Sequence, residues 1–135
     1  MEIYINFLGV LIATIVAMII GMTWYSDLLF GKTWKRLSGF TKKKLKEMQT
    51  TPIQATLMGF LITFAMFATV DILFNLLFYM TIVPKILVGV LLWFITSIFL
   101  FHQVIWENKN INLYLLSIGN NFLTIVIGVI LLSVV

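Results

Sequence analysis

The 135-residue chain is 61% hydrophobic and only 10% charged, whereas soluble domains carry roughly 25% charged residues. This composition excludes an ordinary soluble domain and indicates one compact membrane domain over residues 1–135. Because the chain has no cysteine, disulfides, thiolate nucleophiles and cysteine-ligated metal sites are excluded as well.

Four apolar runs predict four membrane-spanning helices, since each matches the roughly 20 residues that cross a hydrocarbon core. We predict spans at about residues 3–22, 53–74, 86–106 and 113–135, with a long loop at about 24–52. The predicted fold class is all-α: an integral membrane four-helix bundle with a short interfacial amphipathic segment between the first two spans. The first span lacks the basic flank and cleavage site of a signal peptide, so we expect it to remain.

Positive charge is concentrated in the long loop. Seven of the nine Lys and Arg residues lie there, Lys109 lies in the third connection, and only Lys85 lies in the second. Because bases in short loops stay on the cytoplasmic side, both termini are predicted to lie outside. This topology explains the charge without a nucleic-acid partner, and the expected partners are membrane lipids.

The long loop begins with aromatic residues that suit the membrane interface, among them Trp24. Phe30, Trp34 and Leu37 recur at i, i+4 and i+7, which predicts a short helix lying along the membrane surface. Residues 51–54 (TPIQ) then combine a capping box with proline at the first helical position. A second membrane helix is predicted to start there.

We expect the interfacial segment to brace the ends of the third and fourth helices. Glu107 would accept a hydrogen bond from Lys32, from Lys35 or from the ring N–H of Trp24 or Trp34. The alternative is an ordinary aromatic belt in which each ring faces lipid independently. The candidate brace residues are Trp24, Tyr25, Asp27, Lys32, Trp34 and Glu107.

Several short motifs carry a resemblance to a known family. The motifs are Asn6, Gly21-x-x-Trp24-Tyr25-Ser26, Phe30-Gly31-x-x-Trp34, Leu37-Ser38-Gly39, Trp106-Glu107 and Leu113-Tyr114. Through these motifs the chain resembles a bacterial family of small four-span membrane proteins called domain of unknown function 1761. The resemblance implies a four-span fold and a bacterial inner membrane, and it implies no substrate, cofactor or catalytic residue.

Small residues recur along single faces of the predicted helices, which lets helix backbones approach closely in lipid. Gly9, Ala13, Ala17 and Gly21 form such a face on the first helix, so another helix is predicted to pack there. A polar and small face on the fourth helix is expected to point away from lipid; it comprises Ser117, Asn121, Thr124 and Gly128.

Polar side chains inside the spans are the main functional candidates, because hydrocarbon burial is expensive unless they face protein or water. Asp71 and His102 are expected roughly 20 Å apart along the membrane normal, which argues against a direct proton relay. Asp71 is expected either to lie at a hydrated helix end or to form an ion pair with Lys85, and the alternative is a cation ligand. The candidate polar pathway comprises Asp71, Asn75, His102, Gln103, Asn120, Asn121 and Thr124.

The sequence contains no nucleophile elbow, zinc-protease motif or phosphate-binding glycine loop. We therefore expect no enzyme activity, no cofactor and no metal site. One hypothesis is an oligomeric passage or carrier for a small solute or ion. The alternative is a non-transporting scaffold that binds lipids or a partner membrane protein through the first loop. A water-filled cavity reaching Asn121 would favour the first, and in either case we expect a homo-oligomer.

Overall fold

A computed structural model describes residues 2–77 and 81–135 of the chain. The described residues form helices and contain no strand. Four of the helices are long and apolar enough to cross a membrane, so the predicted all-α fold is confirmed and the chain is a multi-pass membrane protein. The helices are α1 (Phe7–Trp24), α2 (Gly31–Ser38), α3 (Lys42–Lys46), α4 (Pro52–Leu76), α5 (Ile82–Trp106) and α6 (Ile111–Val134).

Capping side chains decide where two of the long helices begin. α1 starts at Phe7 rather than at residue 3, because the Asn6 side chain accepts a hydrogen bond from the Gly9 N–H at 3.0 Å. α4 starts at Pro52 as the capping box predicts, with Thr51 and Gln54 exchanging hydrogen bonds of 3.1 and 3.2 Å.

The long helices are arranged in the order α4, α1, α6, α5. α1 packs against both α4 and α6, while α6 packs against α1, α5 and the short helix α2. Within the described residues, α4 and α5 share at most a marginal contact. We call the end that carries residues 25–51 and 107–110 the basic end, and the opposite end the Asp71 end.

Small residues allow α1 to sit at the centre of this arrangement. Gly9, Ala13 and Ala17 are buried, as predicted for a face that receives another helix. Gly21 differs, because nothing lies within 4 Å of the position that a Cβ would occupy. The small face of α1 is therefore packed toward the Asp71 end and open toward the basic end.

α5 and α6 are joined by hydrogen bonds from aromatic side chains. The Trp93 ring N–H donates to the Ile118 carbonyl at 2.8 Å, and the Tyr114 hydroxyl donates to the Ser97 carbonyl at 2.7 Å. Such bonds satisfy polar groups that water cannot reach in a membrane interior. They fix the register of α5 on α6.

α4 diverges from its neighbours along its length. Its buried residues are Phe67, Asp71 and Phe74, all in its second half. The first half is mostly exposed, including Leu57 and Leu61. This divergence leaves a cleft beside α1 and α6.

Candidate functional site

A cleft between α1, α4 and α6 is lined by polar side chains that lie well inside the spans, among them Thr63, Asn120 and Asn121. Its volume is about 320 Å³, and no charged side chain lines it. We call it the polar cleft, and its lining residues are Ala17, Met18, Gly21, Met22, Thr56, Thr63, Met66, Asn120, Asn121 and Thr124.

Hydroxyl and amide groups give the polar cleft its chemistry. The Thr63 hydroxyl donates to the Gly59 carbonyl at 2.7 Å, which leaves its oxygen able to accept a further hydrogen bond. Asn120 Oδ1 is buried and accepts no hydrogen bond from the described residues. An unsatisfied buried acceptor costs about 1–3 kcal/mol, so a donor that reached Asn120 Oδ1 by displacing the side chains that cover it would be stabilised there.

The polar cleft runs from the basic end to the middle of the helices. Met22 and Thr56 at its mouth are exposed. From Thr56 to Met66 the cleft follows α4 for about 15 Å, at 1.5 Å per residue. That distance is about half of a hydrocarbon core roughly 30 Å thick.

A tightly packed layer closes the inner end of the cleft. Phe67 is 1% exposed, and Val10 and Ala13 of α1 are fully buried beside it. The Phe67 ring lies against Gly128 of α6, where a Cβ would overlap it. We call these four residues the Phe67 layer; they separate the polar cleft from the Asp71 end.

Beyond the Phe67 layer, Asp71 binds the start of α1. Its Oδ2 accepts the Asn6 backbone N–H at 2.8 Å, and the Asp71 side chain is buried. The Asn75 amide donates to the Tyr4 carbonyl at 2.7 Å and to the Asp71 carbonyl at 2.9 Å. A carboxylate is favoured near a helix N-terminus by the helix dipole. Asp71 and Asn75 therefore hold the N-terminal segment against α4.

Lys85 does not pair with Asp71. α5 begins at Ile82 rather than at residue 86, so Lys85 lies within its first turn. Its Nζ lies 5.5 Å from the centroid of the Phe74 ring, within the range of a cation–π contact. The ion pair, which was one of the alternatives for Asp71, does not form: Lys85 contacts an aromatic ring, and Asp71 accepts a hydrogen bond from a backbone donor.

The candidate pathway residues fall into separate places. Asn120, Asn121 and Thr124 line the polar cleft, whereas Asp71 and Asn75 lie beyond the Phe67 layer. His102 is exposed on α5, with its ring centroid 6.4 Å from that of Phe99. Gln103 accepts a hydrogen bond from Lys109 Nζ at 3.0 Å at the basic end.

These residues do not form one continuous path. Within residues 2–77 and 81–135, no three acidic or histidine side chains are close enough to share a metal ion.

The segment after α1 packs against α6 through Trp24. Its ring N–H donates to the Leu116 carbonyl at 3.1 Å, and its ring covers Gly119. Phe30 packs on Trp24 with ring centroids 4.6 Å apart. Trp34 contacts the rings of Tyr25 and Phe40 within this segment, with centroids 6.1 and 5.1 Å apart.

The acids near this segment take local partners. Glu107 Oε2 lies 3.3 Å from Lys109 Nζ, and Asp27 Oδ1 lies 3.5 Å from Lys35 Nζ, both pairs being exposed. Asn108 between Glu107 and Lys109 has a left-handed φ of 51°, which turns the chain back there. Glu107 therefore pairs with Lys109 rather than with Lys32, Lys35 or a tryptophan.

Residue patterns gave no indication of several important contributors to the site. Phe67 is one of many phenylalanines in an apolar run, and nothing in the sequence marks it as the residue that meets Gly128. Thr63 carried a weak signal as part of a small-residue stripe with Ala55 and Gly59 on α4. Its place in a cleft depends on the divergence of α4.

Comparison with known proteins identifies one family. The chain matches the family described as "Protein of unknown function (DUF1761)" over residues 8–133. No curated protein and no solved structure matches the chain. Since the family match extends from the start of α1 to the end of α6, the chain belongs to the DUF1761 family.

Proposed function

We propose that the chain is a membrane passage or carrier for a small polar solute, which enters through the polar cleft. The observation that carries this proposal is the buried, unpartnered Asn120 Oδ1 in a cleft that reaches the middle of the helices. A core packed only through small residues would instead suit a scaffold. The cleft volume of about 320 Å³ is far larger than the roughly 10–15 Å³ that a cavity needs to hold one water molecule.

The lining chemistry favours an uncharged solute with hydrogen-bond donors. No charged side chain lines the cleft, and an ion that left water there would lack a compensating partner. Asn120, Asn121 and the threonine hydroxyls offer acceptors instead. Small polyols and amides such as glycerol and urea have this chemistry and fit the volume.

The Phe67 layer would act as the barrier. With the Phe67 ring against Gly128, a solute that reaches Met66 has no open route onward. Displacement of this ring would join the cleft to the Asp71 end. α4 suits such a motion, because its first half is loosely packed while Asp71 and Asn75 hold its second half.

The proposal places the protein in a bacterial cytoplasmic membrane with the basic end inside and both termini outside. The support is the clustering of seven bases between α1 and α4 and of Lys109 between α5 and α6. Self-association is part of the same proposal, because α4 and α5 leave both flanks of the described helices uncovered.

Permeation of proteoliposomes tests this function. Stopped-flow light scattering would follow the osmotic response to glycerol and to urea in liposomes with and without the wild-type protein. We expect faster entry of at least one solute with protein. Equal rates for both solutes would contradict the proposal.

A matched pair of threonine variants links permeation to the cleft. Thr63 lines the cleft and Thr69 is exposed on the same helix, and each hydroxyl donates to the carbonyl four residues earlier. Loss of one hydrogen-bonding group worth about 1 kcal/mol should slow permeation about fivefold in Thr63→Val. Thr69→Val should retain the wild-type rate, and equal slowing in both variants would remove the cleft from the route.

A further inference from the structure

Two grooves flank α2 where it packs on α6, and they differ in whether their basic side chain is already paired. One groove contains Lys109, which is already engaged by Glu107 and Gln103. The other, about 450 Å³ in volume, contains Arg36. Among the described residues Arg36 forms no ion pair. We call this second one the Arg36 groove.

Polar donors lie on both sides of the Arg36 groove. Thr33 and Arg36 are one turn apart on α2 and therefore share a face. Asn112 lies in the first turn of α6 on the opposite side. A guanidinium, a hydroxyl and an amide are together well suited to phosphate oxygens, and the guanidinium can bind them in a bidentate manner.

The rest of the groove is apolar and runs toward the hydrocarbon core. Leu115, Leu116 and Gly119 follow Asn112 along α6 and lie beside the Trp24 ring. From Asn112 to Gly119 the helix rises about 10 Å. The groove thus has phosphate-binding chemistry at the membrane boundary and a surface for an acyl chain directly below it.

The surrounding charge favours an anionic lipid over a zwitterionic one. Residues 25–51 contain seven bases and two acids, and one of those acids, Asp27, is paired with Lys35. Basic pockets between membrane helices are a recurring way of binding anionic headgroups. We propose that the Arg36 groove binds an anionic phospholipid, with its phosphate at Arg36, Thr33 and Asn112 and an acyl chain along Leu115 and Gly119.

The proposed lipid site does not depend on the proposed solute passage, and a measurement of lipid binding tests it directly. Native mass spectrometry of the full chain in mild detergent would compare retention of phosphatidylglycerol and phosphatidylcholine. We expect preferential retention of phosphatidylglycerol. Arg36→Gln should lower its affinity about tenfold, as expected for loss of a charge-assisted hydrogen bond.

Lys32→Gln is the matched control, because it removes the same charge from α2 at an exposed residue outside the groove. Its lipid affinity should stay within about twofold of wild type. Equal losses in both variants, or no loss in Arg36→Gln, would overturn the site. Binding of inorganic phosphate as tightly as phosphatidylglycerol would also overturn it, since the acyl chain would then contribute nothing.

Occupancy of the groove can be read from Trp24 alone. In a chain carrying Trp34→Phe, Trp93→Phe and Trp106→Phe, Trp24 is the remaining tryptophan. Phosphatidylglycerol brominated on its acyl chain should quench Trp24 fluorescence more than brominated phosphatidylcholine at the same mole fraction. Arg36→Gln should abolish the difference and Lys32→Gln should retain it. Equal quenching by both lipids in the protein that retains Arg36 would contradict the proposal.

Discussion

The aromatic ring of Phe67 on α4 lies against Gly128 on α6, at a point where any side chain on residue 128 would overlap the ring. This contact joins two helices that otherwise touch little. It also closes the inner end of the polar cleft. The absence of a side chain at Gly128 therefore determines both the local packing and the proposed barrier.

Gly128→Ala should weaken the fold and open the barrier. The added methyl group forces the Phe67 ring to move, and overpacking of this kind costs about 1–3 kcal/mol. Thermal unfolding in mild detergent should show a lower midpoint, and glycerol permeation should rise. Gly21→Ala is the control for stability, because no atom lies within 4 Å of its Cβ position. A Gly128→Ala protein as stable as Gly21→Ala would argue against the contact.

Asp71→Ala should loosen the start of α1. The substitution removes the acceptor of the Asn6 N–H and leaves a partly buried donor unsatisfied, at a cost of about 1 kcal/mol. Hydrogen exchange of residues 5–9 should speed up, whereas the amides of α5 should be unchanged. Asp71→Asn keeps an acceptor oxygen and should have a smaller effect. Unchanged exchange in Asp71→Ala would show that the carboxylate does not hold this segment.

Trp24→Phe and Trp34→Phe should differ in their effect on stability. The Trp24 ring N–H donates to the Leu116 carbonyl, so its loss should cost about 0.5–1.5 kcal/mol. Trp34 forms no such bond among the described residues and should tolerate phenylalanine. Unfolding free energies measured in mild detergent would compare the two variants. Equal losses of unfolding free energy in the two variants would indicate an ordinary aromatic belt in which each ring faces lipid independently.

The helices were predicted well because each is marked by residues that lie close together in the sequence. The run lengths predicted the four spans, and Thr51 and Gln54 marked the start of α4 through side chains three residues apart. The register of the predicted interfacial helix followed from Phe30, Trp34 and Leu37. Each of these features is specified within a few turns of chain.

Contacts between distant segments were much less accessible to sequence reasoning. The pairing of Asp71 with the Asn6 backbone depends on the relative depth of α1 and α4, and no local pattern encodes it. Glu107 had a closer partner in Lys109 because of the turn at Asn108. Likewise, the polar face of α6 indicated a protein-facing surface, but the cleft beside it exists because α4 diverges.

Cysteine labelling in intact cells should establish the orientation without background, since the chain has no native cysteine. Single cysteines at positions 43 and 110 should be protected from a membrane-impermeant maleimide, because they lie in the base-rich connections. A cysteine at position 83 should be labelled. Labelling of position 43 from outside would reverse the proposed orientation.

The most direct test of the account is water access to the polar cleft from the basic end. Thr124 lines the cleft, while Leu123, its neighbour at the same depth, is exposed on the helix surface outside it. In inside-out vesicles and in intact cells, single cysteines at the two positions would be treated with a small membrane-impermeant thiosulfonate.

We expect Thr124→Cys to react rapidly from the cytoplasmic side and slowly from outside, with Leu123→Cys slow from both sides. Equal, slow reaction of both cysteines would mean that water does not fill the cleft, and it would contradict a route through Asn120, Asn121 and Thr124.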